Sequence, residues 1–161
     1  MNSVVLFVLV PFVTAIVLAL LNGRPRAERA IGAASTIALA AWSFMVLAQV
    51  DADGIQVSMM GGHAAPYGIS FVADRLACIM LCLSTSVGAV ALVSSFATVT
   101  PAQEKYFFHP FFQIALLGVN WSFLTGDLFN MFVAYEVMPV SYTHLRAHET
   151  KANLVCRLLL E

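Results

Sequence analysis

From Leu76 to Val99 the chain carries no charged side chain. A helix of that length in water needs a polar face, and one without a polar face needs another solvent. At 1.5 Å per residue such a helix crosses the roughly 30 Å hydrocarbon core of a bilayer. The feature recurs. Apolar runs cover residues 4–21, 30–50 and 108–125 as well as 76–99, and a shorter one covers 128–140. Short charged segments separate them: Arg24, Arg26 and Arg29; Asp51 and Asp53; Asp74 and Arg75; Glu104 and Lys105. Of all residues 60% are hydrophobic and only 11% charged, where a soluble domain carries about a quarter. The pattern predicts an all-α integral membrane protein with four complete transmembrane helices and the start of a fifth. Its first partner is the lipid bilayer.

Several function classes fall away. A net charge of −1 gives no electrostatic case for nucleic acid. The three cysteines suggest neither a disulfide framework nor a redox motif. No nucleophile–base set, phosphate loop or nucleotide fingerprint is present, so no cofactor is expected.

The first run has a rival reading as a secretory signal peptide. That would want positive charge ahead of the apolar stretch, whereas here three arginines follow it. An uncleaved helix is expected, with Pro11 tolerated inside it. In the second run Gly32, Thr36 and Ala40 recur every fourth residue, a stripe of small residues that lets another helix approach closely. Residues 51–72 contain Gly-Gly, a proline and alternating apolar residues, and predict a short extracytoplasmic hairpin-like loop. His63 in that loop is assigned no role. Cys78, Cys82 and Ser86 share one face of the third run, which reads as helix packing rather than a metal site.

Polar residues within or beside apolar runs are the candidates for function. Gln113 and Asn120 lie seven apart on one face of the fourth run and should turn toward the protein interior. His109 stands at the start of that run, as an interfacial residue or a proton relay. Asp74 and Arg75 sit where the third run begins, as an anchor, an ion pair or part of a polar path. Asp127 marks the start of the fifth run.

Glu136 is the leading candidate. It lies nine residues past Asp127, about 13.5 Å deeper at 1.5 Å per residue, near the middle of the core. An ionised group there costs at least a few kcal/mol. Its neighbours at three and four residues, Phe132, Val133, Pro139 and Val140, have no side-chain donor. Such a carboxyl is either protonated or paired with a cation on another helix, and either state suits a proton site.

Positive residues favour the cytoplasmic side. The Arg24–Arg29 segment is therefore expected inside, and the N-terminus, residues 51–72 and Asp127 outside.

The stretches "FVADRLACIM" and "FFHPFFQIALLGVNWSFLTGDLFNMFVAYEV" resemble the D subunits of the Mrp-type (Mnh, Pha) cation/proton antiporters. That family is related to the antiporter-like subunits of respiratory complex I. The resemblance runs from Met1 to about Val137. It implies a fold of about fourteen helices with inverted repeats and broken helices, from which this chain is truncated. It also implies a bacterial inner-membrane location, partner subunits in a hetero-oligomer, and exchange of protons for Na⁺ or K⁺. In the family a glutamate on the fifth helix pairs with a lysine on the seventh, and Glu136 stands at the glutamate position. No apolar run here carries a lysine. Two alternatives stand beside this reading: a proton-pumping subunit of an NADH-quinone oxidoreductase or membrane hydrogenase, and a non-transporting membrane chain with a structural role.

From about Pro139 the sequence departs from the family. The segment 139–161 resembles the translation of cloning or sequencing-adapter DNA and is expected to be a non-native tail. The His144-x-x-x-His148 pair with Glu149, and Cys156, are discounted as ligands for that reason.

Overall fold

The computed structural model describes residues 3–60, 68–99, 104 and 106–146, with side chains through residue 140. A single 3-10 turn, Ser3–Val5, leads into α1 (Leu6–Leu20). Then come α2 (Pro25–Asp53), β1 (Gln56–Met59), β2 (Ser70–Ala73), α3 (Arg75–Thr98), α4 (Phe108–Leu124) and α5 (Leu128–Arg146). Three stretches are long and apolar enough to cross a membrane: Ser3–Leu20, Pro25–Asp53 and Arg75–Thr98. The protein is mostly helical and multi-pass.

Local sequence sets the breaks. α1 ends in a turn where Gly23 takes a φ of +98°, and Pro25 opens α2 at a position where its missing N–H does no harm. Glu28 reaches back to accept from the amides of Gly23 at 3.0 Å and Arg24 at 3.2 Å, which buries its carboxylate to 2% exposure. α2 closes before Gly54, φ +87°. Asp74 caps α3 by accepting from the Ala77 amide at 2.7 Å. Asp127 does the same for α5, accepting from the Phe129 amide at 2.8 Å.

The distribution of polarity is inverted relative to a soluble protein. Phe12, Phe44, Leu83, Val90, Phe129 and Phe132 face outward. Thr36, Ser43, Thr85, Gln113, Asn120 and Asn130 lie within the bundle. Inside, the hydroxyls bond to their own helices or to a neighbour: Ser43 Oγ and Thr85 Oγ1 are 3.2 Å apart where α2 meets α3. The expected small-residue stripe on α2 is half right. Gly32 and Thr36 are buried, but Ala40 is not, because the buried positions of α2 alternate steps of four and three residues and pass through Leu39 instead. Cys78 and Cys82 are buried free thiols, with Cys78 in the apolar core.

The two strands form the expected hairpin, antiparallel, with Val57 opposite Val72 and Ser58 opposite Phe71. It is shorter than the predicted loop, because α2 runs to Asp53 before the chain turns extended. His63 lies outside the described residues. The hairpin is tied down at both edges. Ser3 Oγ donates to Gln56 Oε1 at 3.1 Å, and the Gly126 amide donates to the Ser70 carbonyl at 2.9 Å. The N-terminal turn, the hairpin and the α4–α5 turn therefore gather at one end of the bundle.

α5 differs from expectation. Its apolar part is Leu128–Val140, yet the backbone stays helical through Pro139 to Arg146. The coil outlasts its apolar sequence, since backbone hydrogen bonding continues while side-chain polarity changes. Residues 147–161, with His148, Glu149 and Cys156, lie outside the described residues, as does the side chain of His144.

Candidate functional site

Glu136 occupies the eighth position after the start of α5, and its side chain is exposed. It shares an outward face with Phe129, Phe132 and Val140, which are 73%, 61% and 50% exposed. Among the described residues no side chain donates a hydrogen bond to it. The opposite face of α5 is pressed against α4. Ala134 is fully buried, and a Cβ added to Gly118 would lie 2.9 Å from Met138 Cγ and 3.3 Å from both the Ala134 carbonyl oxygen and the Met138 amide nitrogen. The missing side chain at Gly118 thus permits the close approach that fixes the direction of Glu136.

The other predicted residues fall into separate places. Asn120 is fully buried and bridges three helices: its Oδ1 accepts from Ser84 Oγ at 2.6 Å, and its Nδ2 donates to the Phe7 carbonyl at 3.4 Å. Gln113 turns the same way. Its Nε2 donates to Thr36 Oγ1 at 2.9 Å and to the Gly32 carbonyl at 3.3 Å. Asp74 is taken up by its cap, and Arg75 pairs with Asp51 in an exposed ion pair. Asp127 caps α5 at the hairpin end. None of these residues meets Glu136.

His109 is buried within the bundle, 1% exposed, at the start of α4. Its Nε2 stands 3.3 Å from Glu104 Oε1, and Arg29 Nε donates to the same oxygen at 2.7 Å. Arg29 also lies over the Phe96 ring, 5.5 Å from its centroid. The Arg29 guanidinium holds the Glu104 carboxyl below its usual range; His109 pulls the same way, and burial opposes both. Glu104, part of a short charged segment in the sequence, is therefore a buried ionic centre. Its burial has a physical cause. α2 starts with an arginine facing the bundle, and its charge is matched by the carboxylate of the connection that packs over it.

Asn130 was also missed. It is 1% exposed and accepts from Trp121 Nε1 at 2.9 Å. The rule applied to Gln113 and Asn120, that amides in apolar runs turn inward, would have found it.

No protein-family model matches the chain. It is 39% identical over 154 residues to the D-subunit of the Na(+)/H(+) antiporter of Alkalihalophilus pseudofirmus, across 95% of this chain and 31% of that protein. It is 37% identical over 153 residues to the D-subunit of a probable K(+)/H(+) antiporter of Rhizobium meliloti, across 91% of this chain and 28% of that protein. Among solved structures it matches a chain of the Mrp complex from Dietzia sp. DQ12-45-1b with a TM-score of 0.79 and 30% identity, over 86% of this chain and 26% of that one. The membrane-bound sulfane sulfur reductase, an archaeal respiratory membrane complex, shares the fold with a TM-score of 0.82 at 23% identity, over 94% of this chain and 31% of that one. The chain spans about a third of the length of the curated relatives it matches. Over the stretch it covers, the chain belongs to the D-subunit family of Mrp/Mnh-type antiporters.

Proposed function

We propose that this chain supplies a protonation site to a multi-subunit antiporter that exchanges Na⁺ or K⁺ for protons across the bacterial inner membrane. Glu136 is the group that takes up and releases the proton. One observation carries the reading: in a relative of antiporter D subunits, a carboxylate stands midway along an apolar helix, on its outward face, with no partner among the described residues. A charge so placed needs a polar neighbour from another helix. The family resemblance supplies its type, a lysine on a later helix.

In this reading α4 is the fourth crossing and Leu128–Val140 the apolar part of a fifth. The Arg24–Arg29 segment is cytoplasmic, and the hairpin end of the bundle is outside. The segment 139–161 is foreign sequence, which resequencing the source DNA across about codons 135 to 145 would test.

The decisive experiment places Glu136→Gln in the full-length protein within its complex. Cation-dependent proton exchange in everted vesicles should be abolished while membrane insertion is unchanged. Exchange at the wild-type rate would overturn the role. A second reading, a proton-pumping subunit of a respiratory complex, is favoured by the fold shared with the sulfane sulfur reductase. Gene neighbourhood separates them: small antiporter genes support the first, quinone-reductase or hydrogenase genes the second.

A further inference from the structure

The three arginines at the start of α2 have different surroundings. Arg29 is neutralised by Glu104. Arg24 and Arg26 are exposed, and among the described residues no acidic side chain pairs with either. Glu28 is the carboxylate nearest to them in sequence, and it is buried against the Gly23 and Arg24 amides. The aspartates of the described residues, Asp51, Asp53, Asp74 and Asp127, belong to the hairpin end of the bundle. Two guanidinium groups therefore face outward at the other end with no counter-charge from the described residues.

The length of α2 sets their depth. Its 29 residues rise about 43 Å, whereas the hydrocarbon core measures about 30 Å and the bilayer with its headgroups about 40–45 Å. A helix of this length that crosses the core puts Arg24 and Arg26 at the level of the lipid headgroups. The surface of α1 at the same end is apolar and open. Val13, Ile16, Val17 and Leu20 follow one another at helical spacing on one face, and all are exposed, Leu20 by 82%. Unpaired cations at headgroup level and an uncovered apolar stripe beside them match the two parts of a phospholipid.

We propose that Arg24 and Arg26 bind the phosphate of an anionic phospholipid, whose acyl chain lies along the Val13–Leu20 face of α1. A guanidinium stays charged at every relevant pH and presents a fork of N–H donors that suits phosphate oxygens. A zwitterionic lipid carries the same phosphate, but its own ammonium offsets the charge, so the site favours the anionic headgroup. The backbone at the start of α2 takes no part. Pro25 has no N–H, and the Ala27 and Glu28 amides donate to the Arg24 carbonyl. The proposal depends neither on which side of the membrane this end faces nor on transport through Glu136.

The test is titration of the full chain in detergent micelles with phosphatidylglycerol or phosphatidylcholine, read by native mass spectrometry. The first phosphatidylglycerol should bind more tightly than the first phosphatidylcholine. Arg24→Gln/Arg26→Gln should weaken that phosphatidylglycerol by roughly fivefold or more and leave phosphatidylcholine unchanged, which a misfolded variant would not. Arg24→Lys/Arg26→Lys keeps both charges and should retain most of the preference. Arg75→Gln, at the hairpin end, should retain all of it. Excess inorganic phosphate at matched ionic strength should not displace the lipid. A wild type without preference overturns the proposal and leaves the two arginines to an acidic protein partner. Equal loss in the lysine pair or in Arg75→Gln, or displacement by inorganic phosphate, overturns it as well.

Discussion

Two glutamates of this chain have exchanged the places that hydropathy assigns them. Glu104 belongs to a short charged connection, yet it is 5% exposed and bonded to Arg29 and His109. Glu136 belongs to an apolar run, yet it stands on the outer face of α5 without a partner among the described residues. The difference teaches where polarity is tolerated in such a molecule. The interior of the bundle holds hydroxyls, amides and the carboxylate of an ion pair, most of them matched by a neighbour. The outward faces are left to leucine, valine and phenylalanine. An acid group inside is a solved problem. One outside requires a second helix or subunit, and that requirement is the root of the transport proposal.

Substitutions can break or sharpen this contrast. The largest effect belongs to Glu136→Gln, already described: total loss of exchange with little change in stability. Glu104→Gln should do the reverse. It leaves Arg29 and His109 without their counter-charge and should lower the unfolding temperature in detergent by several degrees. The pH dependence follows from the depressed pKa of Glu104. A carboxyl held below its usual value of 4.5 contributes stability that is complete above that pH and lost as the pH falls through the folded value. Wild-type unfolding temperature should therefore drop on acidification below about 4.5, and Glu104→Gln should flatten that limb.

Gly118→Leu comes next, since its Cβ alone already crowds the Ala134–Met138 turn. About 1–3 kcal/mol of destabilisation is expected from overpacking, measured by denaturant titration in micelles. Gly118→Ala should cost less, because Met138 can move. Asn120→Leu should cost about 1 kcal/mol, in line with interhelical hydrogen bonds in membrane proteins. Arg75→Ala should change nothing measurable, as its pair with Asp51 is exposed on both sides. A large effect there would mean that the hairpin end is less open to water than its side-chain exposure implies.

Much of the fold could be read from the residues. Long uncharged runs announced the helices. Gly-Gly, proline and alternating apolar residues announced the hairpin, and the inward turn of Gln113 and Asn120 followed from the cost of polarity in lipid. The failures are instructive. Periodicity reveals which residues share a face but not which helix will cover it, so Ala40 was placed in a contact that Leu39 makes. Glu104 is named in the sequence only as part of a short charged segment between two apolar runs. Its burial depends on Arg29, 75 positions away in sequence, and no local pattern carries that pairing. Glu136 was readable as an anomaly, whereas its outward direction required the position of α4.

The close seat of Gly118 against α5 has a mechanical consequence. With backbone meeting backbone, the two helices cannot rotate or slide past one another without collision. They behave as one rigid strut that bears His109 near one tip and Glu136 about halfway down. Any rocking that re-aims the carboxylate must then be absorbed where that strut meets the rest of the bundle, at the Gly126–Ser70 contact with the hairpin and at the bond from Glu104 to Arg29.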